Sequence, residues 1–289
     1  MSAATHDDYY VPHGSHWPIV GSIGLTTLLG GFATMLNGST MGGKLMIAGV
    51  LIVLFMMFGW FGTVIRESEG GYYNEQVDRS FRWGMSWFIF SEVMFFAAFF
   101  GALFYAREFS IPWIGGGGNN MMTNLELWNS WEAAWPTNGP ANVGGEYEVM
   151  GAWGLPALNT LILLSSGVTV TWAHWALKKG NRSQLVLGLL ATVVLGFTFV
   201  GLQAMEYSHA YHEMNLTLGS GIYGSTFFML TGFHGFHVTM GAIMLTVIMF
   251  RSMKGHFTAE HHFGFEAVAW YWHFVDVVWL GLFIFVYWL

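Results

Sequence analysis

The chain has 289 residues, of which 54% are hydrophobic and 9% are charged, and its formal net charge is −7. Soluble domains carry about 25% charged residues, so this composition excludes a soluble enzyme and a disordered linker, and the negative net charge argues against a nucleic-acid partner. It predicts an integral membrane protein.

Seven stretches with few or no charges are each long enough for the roughly 20 residues of a membrane-spanning helix. Only Glu92 interrupts the third stretch and only Asp276 the last, and the sixth can hold one helix and a loop. Neither alternating ten-residue strands nor an internal repeat is visible. We therefore expect an all-α fold with seven transmembrane helices and a single membrane domain over 1–289. In chain order the stretches are 17–43, 45–65, 83–106, 149–177, 183–205, 214–250 and 267–289.

The distribution of Lys and Arg predicts the orientation of these helices. Eight of the ten basic residues follow the second, fourth and sixth helices, and by the positive-inside rule this side is cytoplasmic (or matrix). The N-terminus is then inside and the C-terminus outside. The inner set is Arg66, Arg79, Arg82, Lys178, Lys179, Arg182, Arg251 and Lys254, and the outer set is Lys44 and Arg107.

Two polar segments flank or interrupt the helices. Residues 1–16 are polar and lack a basic start, so we expect no cleavable signal peptide there. Residues 107–150 form a Gly/Asn-rich stretch that the topology places outside the membrane, as an extracytoplasmic loop. Such loops mainly solve turn geometry, so we expect a structural or partner-contact role.

Ionisable side chains are predicted deep in the bilayer. Glu92 lies ten residues after Arg82, about 15 Å along a helix, and Asp276 lies equally far from Glu266. His234 and His237 share one helix face. A charge at that depth costs at least about 2.5 kcal/mol, so these groups either serve a proton or substrate path or form hydrogen bonds between helices. The two interpretations are balanced for Glu92, and packing is favoured for the other three residues.

A metal site is the alternative use of these histidines. Glu206 and His209 have the spacing of di-iron helices, and three histidine pairs resemble the histidine boxes of membrane desaturases. The topology places one pair on the outer side of the membrane, one in the middle of the bilayer and one on the cytoplasmic side. The first and the last are about 30 Å apart, whereas ligands of one ion lie about 2 Å from it. The absence of cysteine also excludes thiolate ligands and covalently attached haem. We therefore expect no metal ligands. The pairs are His209 with His212, His234 with His237, and His261 with His262.

Basic and aromatic residues form a rim at the predicted inner side. The general preference for basic residues on the inner side is enough to explain such a rim. The more specific interpretation is that the rim binds an anionic phospholipid headgroup between helices. The rim comprises Arg251, Lys254, His256, Phe257, His261, His262 and Phe263.

Several motifs together closely resemble subunit III of the haem–copper cytochrome c oxidases, in the same order and spacing. The resemblance covers most of the chain from about residue 45 onward. The motifs are SEVMFF at 91–96, LPALNT at 155–160, SSGVTVTWAH at 165–174, YGSTFF at 223–228, TGFHGFHV at 231–238, HHFGFE at 261–266 and AWYWHFVDVVW at 269–279.

The resemblance implies a seven-helix subunit of an aa3-type terminal oxidase, with no redox centre and no catalytic residue of its own. In that family helices 1–2 and 3–7 form a V-shaped cleft that holds phospholipids. The subunit packs on subunit I, with subunit II in the same complex, and haem and copper lie in these partners. It supports proton uptake and the durability of the oxygen-reducing, proton-pumping complex. The expected location is the bacterial cytoplasmic membrane or the mitochondrial inner membrane.

The resemblance also implies roles for particular residues. Glu92 matches the family's membrane-buried glutamate, and its lipid-contact positions match Trp60, Arg251, His261 and Phe263. The polar set of the last helices matches His234, His237, His273 and Asp276.

The sequence departs from the family pattern at three places. Gly62-Thr63 stands where an Arg-Asp pair is frequent, Trp175 replaces a second histidine after His174, and the outer loop matches only at Trp135-Pro136. We therefore do not expect this chain to have a role in surface proton collection or headgroup binding that depends on the missing groups.

Two other functions stay open at this point. A quinol oxidase subunit III is the nearer one, although such relatives tend to have five helices. An independent transporter that uses Glu92 and Asp276 as a proton relay is the other, although no inverted halves are visible.

Overall fold

The computed structural model describes Tyr10 and residues 14–289. These residues form helices and loops, with no β-strand among them, and seven helices are long and apolar enough to cross a membrane. The predicted all-α class with seven spanning helices is therefore confirmed. Most of the polar segment 1–16 lies outside the described residues.

Nine α-helices and two wider π-helical segments make up the described chain. The π-helical segments are Ala106–Ser110, after α3, and Phe283–Trp288, after α9. The α-helices are α1 (Trp17–Leu36), α2 (Gly42–Glu69), α3 (Glu75–Tyr105), α4 (Ile111–Ile114), α5 (Met121–Leu127), α6 (Leu155–Lys178), α7 (Arg182–His212), α8 (Gly221–Lys254) and α9 (Phe263–Leu282).

Several helices continue past the charged residues at which the predicted apolar stretches end. The third helical run continues through the π-helical segment and α4 to Ile114, so the following loop begins at Gly115 rather than at residue 107 and contains α5. Helix α7 continues past Met205 to His212. A charged residue ends an apolar stretch without ending a helix, because the backbone hydrogen bonds continue wherever its side chain finds water or, as Glu206 does with Tyr287, a buried partner.

The chain divides into two compact units, residues 1–83 and 84–289. In the first unit α1 and α2 pack closely through glycines. A Cβ on Gly31 would lie 2.6 Å from the backbone nitrogen of Met46, and one on Gly49 would overlap the backbone of Leu28. Small residues of this kind allow two membrane helices to approach each other.

The second unit is centred on α6–α9, whose core is filled by two tryptophans of α9. Both side chains are fully buried, and both indole N–H groups are satisfied. Trp272 Nε1 donates to Ser166 Oγ and Trp279 Nε1 to Thr160 Oγ1, each at 2.8 Å. A buried indole needs such an acceptor, so these bonds fix α9 against α6 in one register.

Candidate functional site

The centre of the candidate site is a hydrogen bond between α3 and α8. His237 Nε2 lies 2.8 Å from Glu92 Oε2. On the other side of the ring, His237 Nδ1 lies 2.6 Å from the Phe233 carbonyl oxygen. Glu92 is thus joined to the backbone of α8 through one imidazole.

The backbone contact determines that one proton of His237 lies on its Nδ1 atom. A carbonyl oxygen only accepts hydrogen bonds, so the Nδ1 atom of His237 carries a proton and donates it to Phe233. Nε2 then shares one further proton with the carboxyl group of Glu92. The pair is either a neutral acid with a neutral imidazole or a carboxylate with an imidazolium, and the two forms differ only in the position of that proton.

Aromatic rings surround the pair and reduce its contact with solvent. The ring centroid of Phe96 lies 5.0 Å from that of His237 and the ring of Phe95 lies at 5.8 Å, while Tyr271 stacks at 6.3 Å. The side chain of His237 is 10% exposed and that of Glu92 is 21% exposed. The histidine is therefore enclosed, whereas the Glu92 side chain is partly exposed at the surface of the second unit.

His234 faces a different neighbour from His237, although the two are three residues apart. It is fully buried, and its Nε2 donates to the Val275 carbonyl oxygen at 3.1 Å. Its ring packs on Trp279 and Phe199, with centroids 5.1 and 5.7 Å away. These contacts fix α8 against α9 and α7, as expected if His234 serves helix packing.

His273 and Asp276 form a separate group at the contact between α9 and α6. The Thr171 hydroxyl donates to the Gly167 carbonyl, so it accepts from His273 Nε2 at 3.2 Å. The other ring nitrogen, Nδ1, lies 3.7 Å from Asp276 Oδ2. The five predicted ionisable residues thus divide into the Glu92–His237 pair, the His273–Asp276 group and His234.

The residues expected to contact lipid lie on both compact units. Trp60 is 43% exposed on α2. In the second unit the Arg251 guanidinium lies 4.5 Å from the ring centroid of Phe257. It also lies close to Gly264, where an added Cβ would be 3.3 Å from Arg251 Nη1. His261 is exposed, and Phe263 is half-buried where α9 begins.

The di-iron spacing of Glu206 and His209 does not produce a shared site. Glu206 is buried and accepts a 2.7 Å hydrogen bond from Tyr287, whereas His209 Nδ1 lies 3.0 Å from the exposed Glu213. The burial of Glu206 was missed, because α7 was expected to end at residue 205.

A different set of metal-ligating groups comes together where α6 ends and α9 begins. His174, His262 and Glu266 have ligand atoms within 4.8 Å of one another. Sequence reasoning missed this set, because His174 is 88 residues from His262 and their proximity depends on how α6 and α9 pack.

Comparison with known proteins identifies the family of the chain. The family model for cytochrome c oxidase subunit III matches residues 7–289. Cytochrome c oxidase subunit 3 of Marchantia polymorpha is 45% identical over 290 residues, covering 100% of this chain and 98% of the relative. The proteins of that name from Arabidopsis thaliana and Formosania lacustris are 43% and 42% identical, covering 100% and 97% of this chain and 98% and 96% of the relatives. The chain belongs to the cytochrome c oxidase subunit III family.

Proposed function

We propose that the chain is the non-redox subunit III of an aa3-type cytochrome c oxidase. It packs on subunit I, with subunit II in the same complex, and haem and copper reside in those partners. Its own contribution is to bind phospholipid and to support rapid proton uptake and durability of the oxygen-reducing centre. The complex lies in the bacterial cytoplasmic membrane or the mitochondrial inner membrane.

The observation that carries the proton-related part is the Glu92–His237 pair. His237 Nε2 and Glu92 Oε2 lie 2.8 Å apart, at hydrogen-bond distance, and the glutamate is the more exposed member of the pair. An intramembrane ionisable residue of this kind marks a functional site by default. The pair can therefore hold a proton at bilayer depth without carrying net charge.

The test compares the purified complex with and without this chain. We expect the complete complex to oxidise reduced cytochrome c, to pump protons and to retain activity over many turnovers. The depleted complex should keep its haem spectrum but lose activity faster during turnover and take up protons more slowly. Equal proton uptake and equal durability in the two preparations would contradict the proposal.

The electron donor distinguishes the nearest alternative. A quinol oxidase would reduce oxygen with quinol and fail with reduced cytochrome c, and we expect the opposite preference. For the independent transporter, the decisive measurement is proton or solute flux in vesicles that contain this chain alone. We expect none, and flux that is lost in Glu92→Gln would favour the transporter.

The position of Arg251 supports the lipid-binding part of the proposal. Its guanidinium lies over Phe257 at one end of α8, and the exposed His261 and the half-buried Phe263 follow in the chain. A planar guanidinium can donate two parallel hydrogen bonds to a phosphate group. We therefore expect Arg251 to hold an anionic phospholipid headgroup.

Native mass spectrometry of the detergent-solubilised complex tests this role. Arg251→Ala should lower the occupancy of the retained anionic lipid several-fold, whereas Lys254→Ala, which removes a positive charge from the same helix end, should have little effect. An equal loss in both variants would indicate non-specific attraction to the membrane surface, and unchanged occupancy in Arg251→Ala would contradict headgroup binding.

A further inference from the structure

Two histidines and one glutamate bring their ligand atoms close together at the α6–α9 contact. His174 Nε2 lies 3.5 Å from His262 Nε2 and 3.6 Å from Glu266 Oε1, and His262 Nε2 lies 3.5 Å from that same oxygen. The three atoms form a nearly equilateral triangle, all of whose corners are metal-ligand atoms.

These separations are long for hydrogen bonds and suitable for a shared cation. Hydrogen bonds between nitrogen and oxygen have donor–acceptor distances of about 2.7–3.2 Å, so none of the three contacts is a normal one. An ion equidistant from the three atoms would lie about 2.0–2.2 Å from each, which is the range of Zn–N and Zn–O bonds.

The scaffold holds all three groups in place. His262 is the N-cap residue of α9 and Glu266 lies in its first turn, so the turn that begins the helix places the two side chains 3.5 Å apart. The backbone amide of Glu266 donates to the His262 carbonyl. The ring of His174 packs on Phe265, with centroids 5.3 Å apart, which restricts its orientation toward α9.

The set is mostly buried, and His174 is its most exposed member. The side chains of His262, Glu266 and His174 are 7%, 12% and 20% exposed. A ligand set of two imidazoles and one carboxylate suits borderline divalent ions such as Zn²⁺, and water can occupy a fourth position of the ion. The single carboxylate leaves the bound ion with a net positive charge.

We propose that His174, His262 and Glu266 form a site for a divalent transition-metal ion of the Zn²⁺ class, which joins the end of α6 to the start of α9. The ion has no redox role, so the site is compatible with haem and copper chemistry confined to partner subunits and does not depend on the proposed function. It revises the expectation from sequence that the chain supplies no metal ligands.

The test uses the oxidase complex purified through a tag on this chain, stripped with a chelator and titrated with ZnCl₂ in a competing buffer. The wild-type complex should bind one more zinc ion than His262→Asn, and Glu266→Gln should weaken that site at least tenfold. His209→Ala is the matched control, because His209 also faces a glutamate but has no third ligand atom nearby among the described residues. It should retain the wild-type zinc stoichiometry.

X-ray absorption at the zinc edge gives a result that does not depend on variants. At one equivalent of zinc, the wild-type complex should show two imidazole nitrogens and oxygen ligands, and zinc should raise its melting temperature. Equal zinc binding in the wild type and in His262→Asn would overturn the proposal. If the variants do not assemble, a wild-type spectrum without imidazole ligands would overturn it equally.

Discussion

His237 is the residue whose two ring nitrogens connect the backbone of α8 to the carboxyl group of Glu92. Its Nδ1 proton is committed to the Phe233 carbonyl, so the proton shared with Glu92 is the only one free to move within the pair. An amide at position 92 can replace a protonated carboxyl group here, because it can also donate to Nε2. An apolar side chain cannot.

We therefore predict that Glu92→Gln assembles normally and lowers the free energy of unfolding by less than about 1 kcal/mol, whereas Glu92→Leu leaves a buried nitrogen unpaired and costs about 1–3 kcal/mol. Thermal unfolding of the purified complex measures both. Infrared difference spectra supply the control, since a protonated Glu92 contributes a carboxylic acid band that Glu92→Gln removes. Failure of Glu92→Gln to assemble would mean that the pair is ionised and structurally required.

Gly167 lies directly against the carboxylate of Asp276. A Cβ at this position would overlap Asp276 Oδ2, so Gly167→Ala should destabilise the protein by about 1 kcal/mol through overpacking. In the background of Asp276→Ala the same substitution should cost nothing. Gly201→Ala in α7 is the control, because no atom lies within 4 Å of the added Cβ. Equal costs of Gly167→Ala in the two backgrounds would disprove the contact.

Helices α1 and α2 associate through the close approach of their backbones. Gly49→Ala would place a methyl group on the backbone of Leu28, so we predict separation of the two helices and a loss of about 1–3 kcal/mol. Gly62→Ala, also in α2, meets only the end of the Arg66 side chain at 3.8 Å and should be neutral or slightly stabilising. The rate of proteolysis in the connection at 37–41 measures the effect, and equal rates for the two variants would contradict it.

The existence and order of the seven spanning helices could be predicted from the sequence, but their ends and the short helices α4 and α5 could not. Long uncharged stretches identify spanning helices, because an unpaired charge in hydrocarbon is costly. The same criterion misplaces the ends, since α7 continues over Glu206, whose carboxyl group is satisfied by Tyr287 at 2.7 Å. That partner lies 81 residues away, and a single sequence contains no signal for such a distant contact.

The candidate site was predictable only in part, for the same reason. Glu92 and His237 could be selected separately from their depth, but their pairing depends on how α3 packs against α8. The three ligand atoms at the α6–α9 contact were not predicted at all. The family resemblance singled out His261 as a lipid-contact position, whereas its neighbour His262 is the one that faces His174.

At the scale of the whole molecule, the arrangement of basic residues predicts which loops face the cytoplasm or matrix. The chain contains no cysteine, so an introduced cysteine is its only thiol. We predict that Glu126→Cys reacts with a membrane-impermeant maleimide from the outer side and that Glu260→Cys reacts only from the inner side, as measured in vesicles of known orientation. Both positions are exposed, so burial would not explain a difference, and the reverse pattern would overturn the predicted topology.

Helices α7 and α8 contain 31 and 34 residues, which correspond to about 46 and 51 Å, whereas the hydrocarbon core of a bilayer is about 30 Å thick. Their ends therefore extend beyond the hydrocarbon while their backbone amides stay paired. A thicker bilayer covers another turn of an existing helix and exposes no unpaired peptide group to lipid. Helices α7 and α8 can thus stay fully hydrogen-bonded in membranes of different thickness, because a change in thickness alters only how many of their turns lie in hydrocarbon.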